Sequence, residues 1–319
     1  MPITGVYFIP SNPNASTVLA TVTERLHTAL ADEPTLVGRW FLEHKLMRDT
    51  PSCLTASASS QQRQAQPRYM QFLSLSYHAN HGFIYTSEPT SNSAPSSSQA
   101  SSSSSPAAQP AGPMVMTTVP LASSNALFHH FGYACQPFWC HRHTVTVPGG
   151  AVYDVGDFRV RVGDVRQTQP TARVRGTVVE IEWRGPSLVG SIAAQTLVRK
   201  MKASSPVVAA DGGDLDDAGM DMGGFFPEAV EEADVDAEYA ASAALIREFW
   251  ARLGIEGARE AILVPDVGKE VKEQLRQLKG ERPQPVSDEK RELQMDEDPD
   301  PAAGVDSARQ YMEIFRFNR

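Results

Sequence analysis

The run Glu180-Ile-Glu-Trp-Arg184 places two carboxylates and a guanidinium at alternate positions of a β-branched, aromatic segment. Successive side chains of a strand point to opposite faces, so Glu180, Glu182 and Arg184 belong to one face. Lining a closed barrel, such carboxylates hold a divalent metal against a triphosphate, the chemistry of tunnel-type triphosphatases. That reaction also needs a second acidic pair on another strand and several inward Lys or Arg. Glu43 is the other candidate acid on an early strand-like segment, and the strand region holds no second Glu-x-Glu. An ordinary solvated strand face explains the same residues without chemistry. No catalytic, cofactor-binding or metal-binding residue is therefore assigned from them.

The second concentration of reactive side chains is His129, His130, Cys135, Cys140, His141 and His143. Cys140 and His143 are three apart, a spacing that zinc uses, but no paired Cys-x-x-Cys accompanies them and Cys135 lies five residues before Cys140. Half-buried strand residues are the simpler reading, since Cys packs readily as a small hydrophobe. His78 and His81 flank a turn at Ala79-Asn-His-Gly82. Gly-x-Ser-x-Gly and the phosphate-binding Gly-x-x-x-x-Gly-Lys-Ser/Thr are both absent. Arg159, Arg161, Arg166, Arg173 and Arg175 cluster on adjacent strand-like segments, yet aromatic residues of the base-stacking type are sparse among them, so a nucleic-acid-binding barrel is the weaker alternative.

Charge has to be read by segment. The 319 residues carry 29 Lys+Arg and 38 Asp+Glu, a net charge of −9. Ten acidic and no basic residues fall between Asp211 and Asp236, and nine acidic with three basic fall in Glu281–Asp306. Outside both stretches the balance is +7. Three Cys imply no disulfide framework and favour a reducing compartment. No run approaches the ~20 apolar residues of a membrane span, and the first residues lack the basic and apolar regions of a secretory signal.

These residues must be positioned by the elements around them. Gly5–Ile9, Val37–Arg48, Arg68–His78, Gly82–Thr86, Phe138–Val147, Gly150–Val155, Phe158–Val165 and Arg173–Trp183 alternate or are β-branched and aromatic. In the last, Val174, Val178, Glu180 and Glu182 face one way and Thr177, Val179, Ile181 and Trp183 the other. Their short connections predict an α+β fold: a mostly antiparallel β-barrel, or a strongly curled sheet, with flanking helices. Helical stripes occur at Val18–Leu30, Leu188–Met201, Ala240–Leu253 and Asp266–Lys279, with Gly254 placed as a left-handed C-cap. A terminal helix over 307–317, with Ser307 and Gln310 as a capping box and Tyr311 stacked on Phe315, docks back on the body. Ser fills ten of the fifteen positions of Ser91–Ser105. Residues 87–113, 203–236 and 281–306 are expected to be disordered insertions in a single domain spanning 1–319, because their low hydrophobicity cannot repay the entropy of ordering. Thr55–Gln66 is expected to be a surface loop.

Four stretches, in this order, resemble subunit 20 of the Mediator complex, in the form of filamentous fungi. They are Thr4-Gly-Val-Tyr-Phe-Ile-Pro-Ser-Asn-Pro-Asn14, Gly38-Arg-Trp-Phe-Leu-Glu-His-Lys-Leu46, Asp157-Phe-Arg-Val-Arg-Val-Gly163 leading to Val178-Val-Glu-Ile-Glu-Trp183, and Gln310-Tyr-Met-Glu-Ile-Phe315. The resemblance implies a β-barrel in the Mediator head module, paired with Mediator subunit 18 and in contact with other head-module subunits. It implies a nuclear, non-enzymatic coactivator that relays regulatory signals to RNA polymerase II and the initiation machinery, with a link to the TATA-binding protein. Neither a cofactor nor a membrane is implied, and direct nucleic-acid binding is not expected. The enzymatic alternative is a metal-dependent triphosphatase using Glu180, Glu182 and Arg184.

Overall fold

The computed structural model describes residues 2–11, 16–50, 68–87, 114–204, 227–280 and 304–316. In it the alternating segments become β1 (Ile3–Pro10), β2 (Thr35–Asp49), β3 (Tyr69–Leu75), β4 (His81–Ser87), β5 (Met114–Pro120), β6 (Trp139–Val155), β7 (Phe158–Gln169), β8 (Arg173–Trp183) and β9 (Arg259–Ala261). They pair antiparallel in the order β5-β4-β3-β2-β6-β7-β8-β1-β9. Phe138–Val147 and Gly150–Val155, separate strands by sequence, are one strand. Pro148 and Gly149 interrupt its pairing with β7, where the register jumps between Thr146 and Ala151. The helices are α1 (Leu19–Thr28), α2 (Leu121–Tyr133), α3 (Leu188–Ser204), α4 (Glu232–Leu253), α5 (Lys269–Leu278) and α6 (Val305–Phe315).

Of the two expected forms, barrel or strongly curled sheet, the closed barrel does not form. Edge strands β5 and β9 do not pair with each other among the described residues. Between them sits α6, which lies against β1 and β9 towards one edge and β3, β4 and β5 towards the other. A helix with its side chains is about 10 Å across, whereas paired strands must approach to about 4.8 Å. A helix wedged there therefore holds the sheet open, and what a barrel would leave as a lumen becomes a packed interior.

Alternation gives the sheet two buried faces. Val160, Val162, Val179 and Ile181 point outward into a core shared with α1, α3, α4 and α5, where Val22, Leu26, Ile192, Ile246, Leu253 and Leu275 are fully or almost fully buried. Val6, Phe8, Trp40, Leu42, Val147 and Val178 point inward and pack on Val305, Ala308, Tyr311, Met312, Ile314 and Phe315 of α6. A smaller cluster of Met47, Met70 and Phe72 lies under α2. Trp40 fits the interior because two glycines make room. A Cβ on Gly150 would lie 2.1 Å from its Nε1, and one on Gly163 would lie 2.5 Å from Val147 Cγ1 and 3.7 Å from the indole. The indole N–H then donates to the Val162 carbonyl at 3.2 Å.

Sequence boundaries shift in physically readable ways. The terminal helix starts at Val305, with Gly304 as its N-cap (φ 73°), so Ser307 and Gln310 are not a capping box. Their side chains reach Thr4 of β1 instead. Tyr311 and Phe315 do stack, with ring centroids 5.9 Å apart. Gly254 ends α4 in the left-handed conformation (φ 61°). The helix begins well before Ala240, however. Glu231 and Asp234 form a reciprocal cap that opens it, and Glu232 and Asp234 lie in a first turn where acidic residues favour the helix dipole. The expected insertions at 87–113, 203–236 and 281–306 fall largely outside the described residues, as does Thr55–Gln66. Their margins are ordered: Ser87 ends β4, Ser204 ends α3, residues 227–236 carry a 3-10 turn and the start of α4, and Val305 and Asp306 open α6.

Candidate functional site

Adjacent strands β7 and β8 set the charged centre. Their register places Arg161 opposite Glu180 and Arg159 opposite Glu182. All four belong to the inward face, since their neighbours Val160, Val179 and Ile181 face outward. Arg161 donates from Nη1 to Glu180 Oε1 at 3.0 Å, and its Nη2 lies 2.6 Å from Glu182 Oε2. Glu180 is wholly buried and Arg161 is 6 % exposed. Tyr77 and Tyr311 both donate their hydroxyls to Glu180 Oε2, at 2.6 and 2.7 Å. The Arg161 guanidinium also lies over the Tyr77 ring, 4.0 Å from its centroid. Burial, and after it the charge of Glu180, push both phenols well above their ordinary pKa. They remain neutral donors. Burial works against the charged form of Arg161, but the facing carboxylates outweigh it and the guanidinium stays protonated.

Every strong donor around Glu180 thus comes from the protein itself. A metal on this carboxylate would have to displace Arg161 and two tyrosines, and a triphosphate would have to displace α6. Among the described residues, no group of three or more His, Cys, Asp or Glu side chains is arranged to hold a metal ion. Arg184, the third member of the sequence-derived triad, is not part of the centre. It bonds Asp154 Oδ2 at 3.0 Å, which Arg159 also engages at 2.9 Å, and its side chain is 45 % exposed. Glu43 lies on the other face of β2, paired with Lys45 at 2.9 Å.

At one end the interior opens into a cavity of about 260 Å³, lined by Pro2, Tyr77, His78, Arg159, Arg161, Glu180, Glu182, Gly304, Asp306 and Ser307. Burial, with Arg161 and His81 nearby, lowers His78 to about 4, so it is neutral at pH 7. At the other end His44 donates from Nε2 to Gln71 Oε1 at 2.9 Å and lies 6.0 Å from His143 and 5.4 Å from Phe315, ring to ring. Burial lowers His44 to about 4 and His143 to about 3. These imidazoles are neutral core residues.

The remaining sequence candidates are dispersed. His129 and His130 lie on α2, where His129 stacks on Tyr133 at 6.0 Å; His141 bonds Thr144 at 3.0 Å; Cys140 donates to the Arg48 carbonyl at 3.3 Å. The five arginines do not form one basic face: Arg161 points into the interior, Arg159 is tied to Asp154, and Arg173 bonds Gln167 at 3.2 Å. Sequence reasoning missed Tyr77, Arg161 and Tyr311 as partners of Glu180. The β7–β8 bulge between Val165 and Arg166 hides the pairing. Without knowing of that one-residue slip, counting back from the turn puts Arg161 opposite the wrong residue.

The family model described as "TATA-binding related factor (TRF) of subunit 20 of Mediator complex" matches residues 1–316. The search of curated proteins returns no match. Among solved structures, that of the PH1819 protein from Pyrococcus horikoshii OT3 is 11 % identical, covering 62 % of this chain and 87 % of that one, with a TM-score of 0.27. The putative adenylyl cyclase HpAC1 from Hippeastrum, described as having a dominant triphosphatase activity, is 13 % identical, covering 63 % and 88 %, with a TM-score of 0.25. At these scores neither likeness informs the chemistry of this chain.

Proposed function

The chain belongs to the Mediator subunit 20 family, and from that premise we propose that it pairs with Mediator subunit 18 in the head module. In this reading it helps relay regulatory signals to RNA polymerase II and the initiation machinery, the TATA-binding protein included. The family consists of structural subunits of a transcription coactivator complex, not of enzymes, and its members partner with other Mediator subunits. Mediator acts in the nucleus, which is where we place this protein. The observation that carries the proposal is the family match across residues 1–316.

The geometry of the interior is in keeping with it. The place where a barrel enzyme would hold substrate is filled by α6, and the acidic residues there are already bonded by Arg161, Tyr77 and Tyr311. What remains for partners is the outside. Large apolar side chains lie exposed there, among them Phe41 (51 %), Phe138 (67 %) and Tyr133 (78 %). Aromatic residues of this kind anchor protein interfaces. Co-expression with subunit 18 tests the proposal: a one-to-one complex that survives gel filtration is expected. A chain that stays a soluble monomer beside folded subunit 18 would remove its main support.

A further inference from the structure

Of the eleven residues of α6, Glu313 alone is exposed. Its buried residues include Asp306, Ser307, Arg309, Gln310 and Tyr311, and each has a partner outside the helix. Asp306 accepts from the Tyr239 hydroxyl at 2.7 Å and the Gly268 N–H at 3.1 Å. Arg309 donates to both carboxylate oxygens of Glu270, Nη1 reaching Oε2 at 2.6 Å. Gln310 donates to the carbonyls of Thr4 (2.7 Å) and Ile262 (2.9 Å) and accepts from the Thr4 hydroxyl at 2.7 Å. Ser307 lies 3.1 Å from the same hydroxyl, and Tyr311 donates to Glu180.

Apolar contact would hold any helix of suitable shape. A set of buried polar groups, each matched to one partner, holds only a helix with the right residues at the right spacing, because a mismatch strands a desolvated group. We propose that the inside of the curled sheet is a helix-binding groove and that α6 is its tethered, exchangeable ligand. The recognised pattern is Asp306-Ser-x-Arg-Gln-Tyr-Met-x-Ile-Phe315 as a helix, supplied by the chain itself or by a second copy. The connection permits exchange. Residues 281–303 separate α5 from α6, and 23 residues reach up to about 75 Å when extended. The cavity described above lies at Gly304, where α6 begins. The tether also gives α6 a local concentration on the order of millimolar, so the chain's own helix occupies the groove by default.

The test uses the full chain with a protease site inserted between residues 281 and 303. After cleavage, only non-covalent contacts retain the C-terminal fragment. A fluorescent peptide of residues 304–316 should then replace the fragment saturably, whereas uncut protein should take up the peptide at least ~100-fold more weakly because of the tether. Arg309→Met and Tyr311→Phe peptides should bind about 10- to 100-fold more weakly, since each strands a buried partner. A Glu313→Ala peptide should bind like the parent. If the cut protein loses solubility, recovery by the parent peptide and not by Arg309→Met supports the groove. Uptake indifferent to Arg309 and Tyr311, a fragment that neither leaves nor exchanges, or aggregation that no peptide reverses would each overturn it.

Discussion

On the outer face of the sheet, Val160, Val162, Val179 and Ile181 meet the apolar stripes of α1, α3, α4 and α5. On the inner face of the same strands, one residue along, Arg161, Glu180 and Glu182 meet Tyr77 and the buried polar side of α6. Both faces bury their side chains. The outer one does so by area, which any well-shaped hydrophobe supplies at roughly 25 cal/mol per Å². The inner one also requires each charge and hydroxyl to find its partner, and so specifies which element fills it. A difference between faces that sequence alternation alone leaves ambiguous separates a structural interior from an active site. In an active site the carboxylates would be left for a ligand, and here they are bonded by the protein.

That contrast can be broken from the inside at the greatest cost. Arg161→Met leaves Glu180 and Glu182 buried without their cation and should destabilise the protein by about 3–5 kcal/mol, read from chemical unfolding. Acidification should act next. His44 is held at about 4 by burial, below its ordinary 6.5. The unfolded chain therefore takes up a proton that the folded one refuses. Stability present above pH 6.5 is lost as pH falls towards 4, by about 3 kcal/mol from this residue alone; thermal melts at pH 7, 5.5 and 4.5 should show it, and His44→Gln should flatten the slope. Tyr311→Phe removes one of three donors to Glu180, and about 1–3 kcal/mol is expected by denaturant titration.

The outer face should be more forgiving. Ile181→Val removes one methylene from a wholly apolar surrounding and should cost about 0.5–1.5 kcal/mol, with no change in the pH profile. An outer-face change as costly as Tyr311→Phe would blur the distinction between the faces. The smallest effect belongs to Arg184→Ala. Its half-exposed pair with Asp154 is worth at most about 1 kcal/mol, and a larger loss would show that Arg184 supports the interior after all.

The legibility of the fold followed the strength of local patterning. β8 is legible in its bounds, and in its faces over the stretch beyond the bulge at Arg175, where Val178 turns inward and Val179 and Ile181 outward. β9 is three residues long, too short to show any period. β5 and α2 went unread. Met114–Pro120 follows a Ser- and Pro-rich stretch, and α2 mixes Phe128 and Phe131 with exposed His129 and His130, so neither carries a clear stripe. Hairpin spacing does not decide between a closed barrel and a curled sheet, because it says nothing about what lies inside. Of the site, Glu180 and Glu182 were legible as a same-face pair. Arg184, two residues on, continued the period in sequence, but beyond the end of β8 its side chain turns to Asp154. The partners that replaced it are 19, 103 and 131 positions away from Glu180, brought in by register and by docking of α6 rather than by any local signal.

The most direct measurement is affinity purification of the tagged full-length chain from nuclear extract at moderate salt, with quantitation of what accompanies it. Near-equimolar Mediator head subunits, subunit 18 foremost, are the predicted result, and Arg161→Met should lose them by unfolding while Arg184→Ala keeps them. Recovery of the chain folded and alone, or with partners that include no Mediator subunit, would contradict the reading of this protein as a structural subunit held together around its own C-terminal helix.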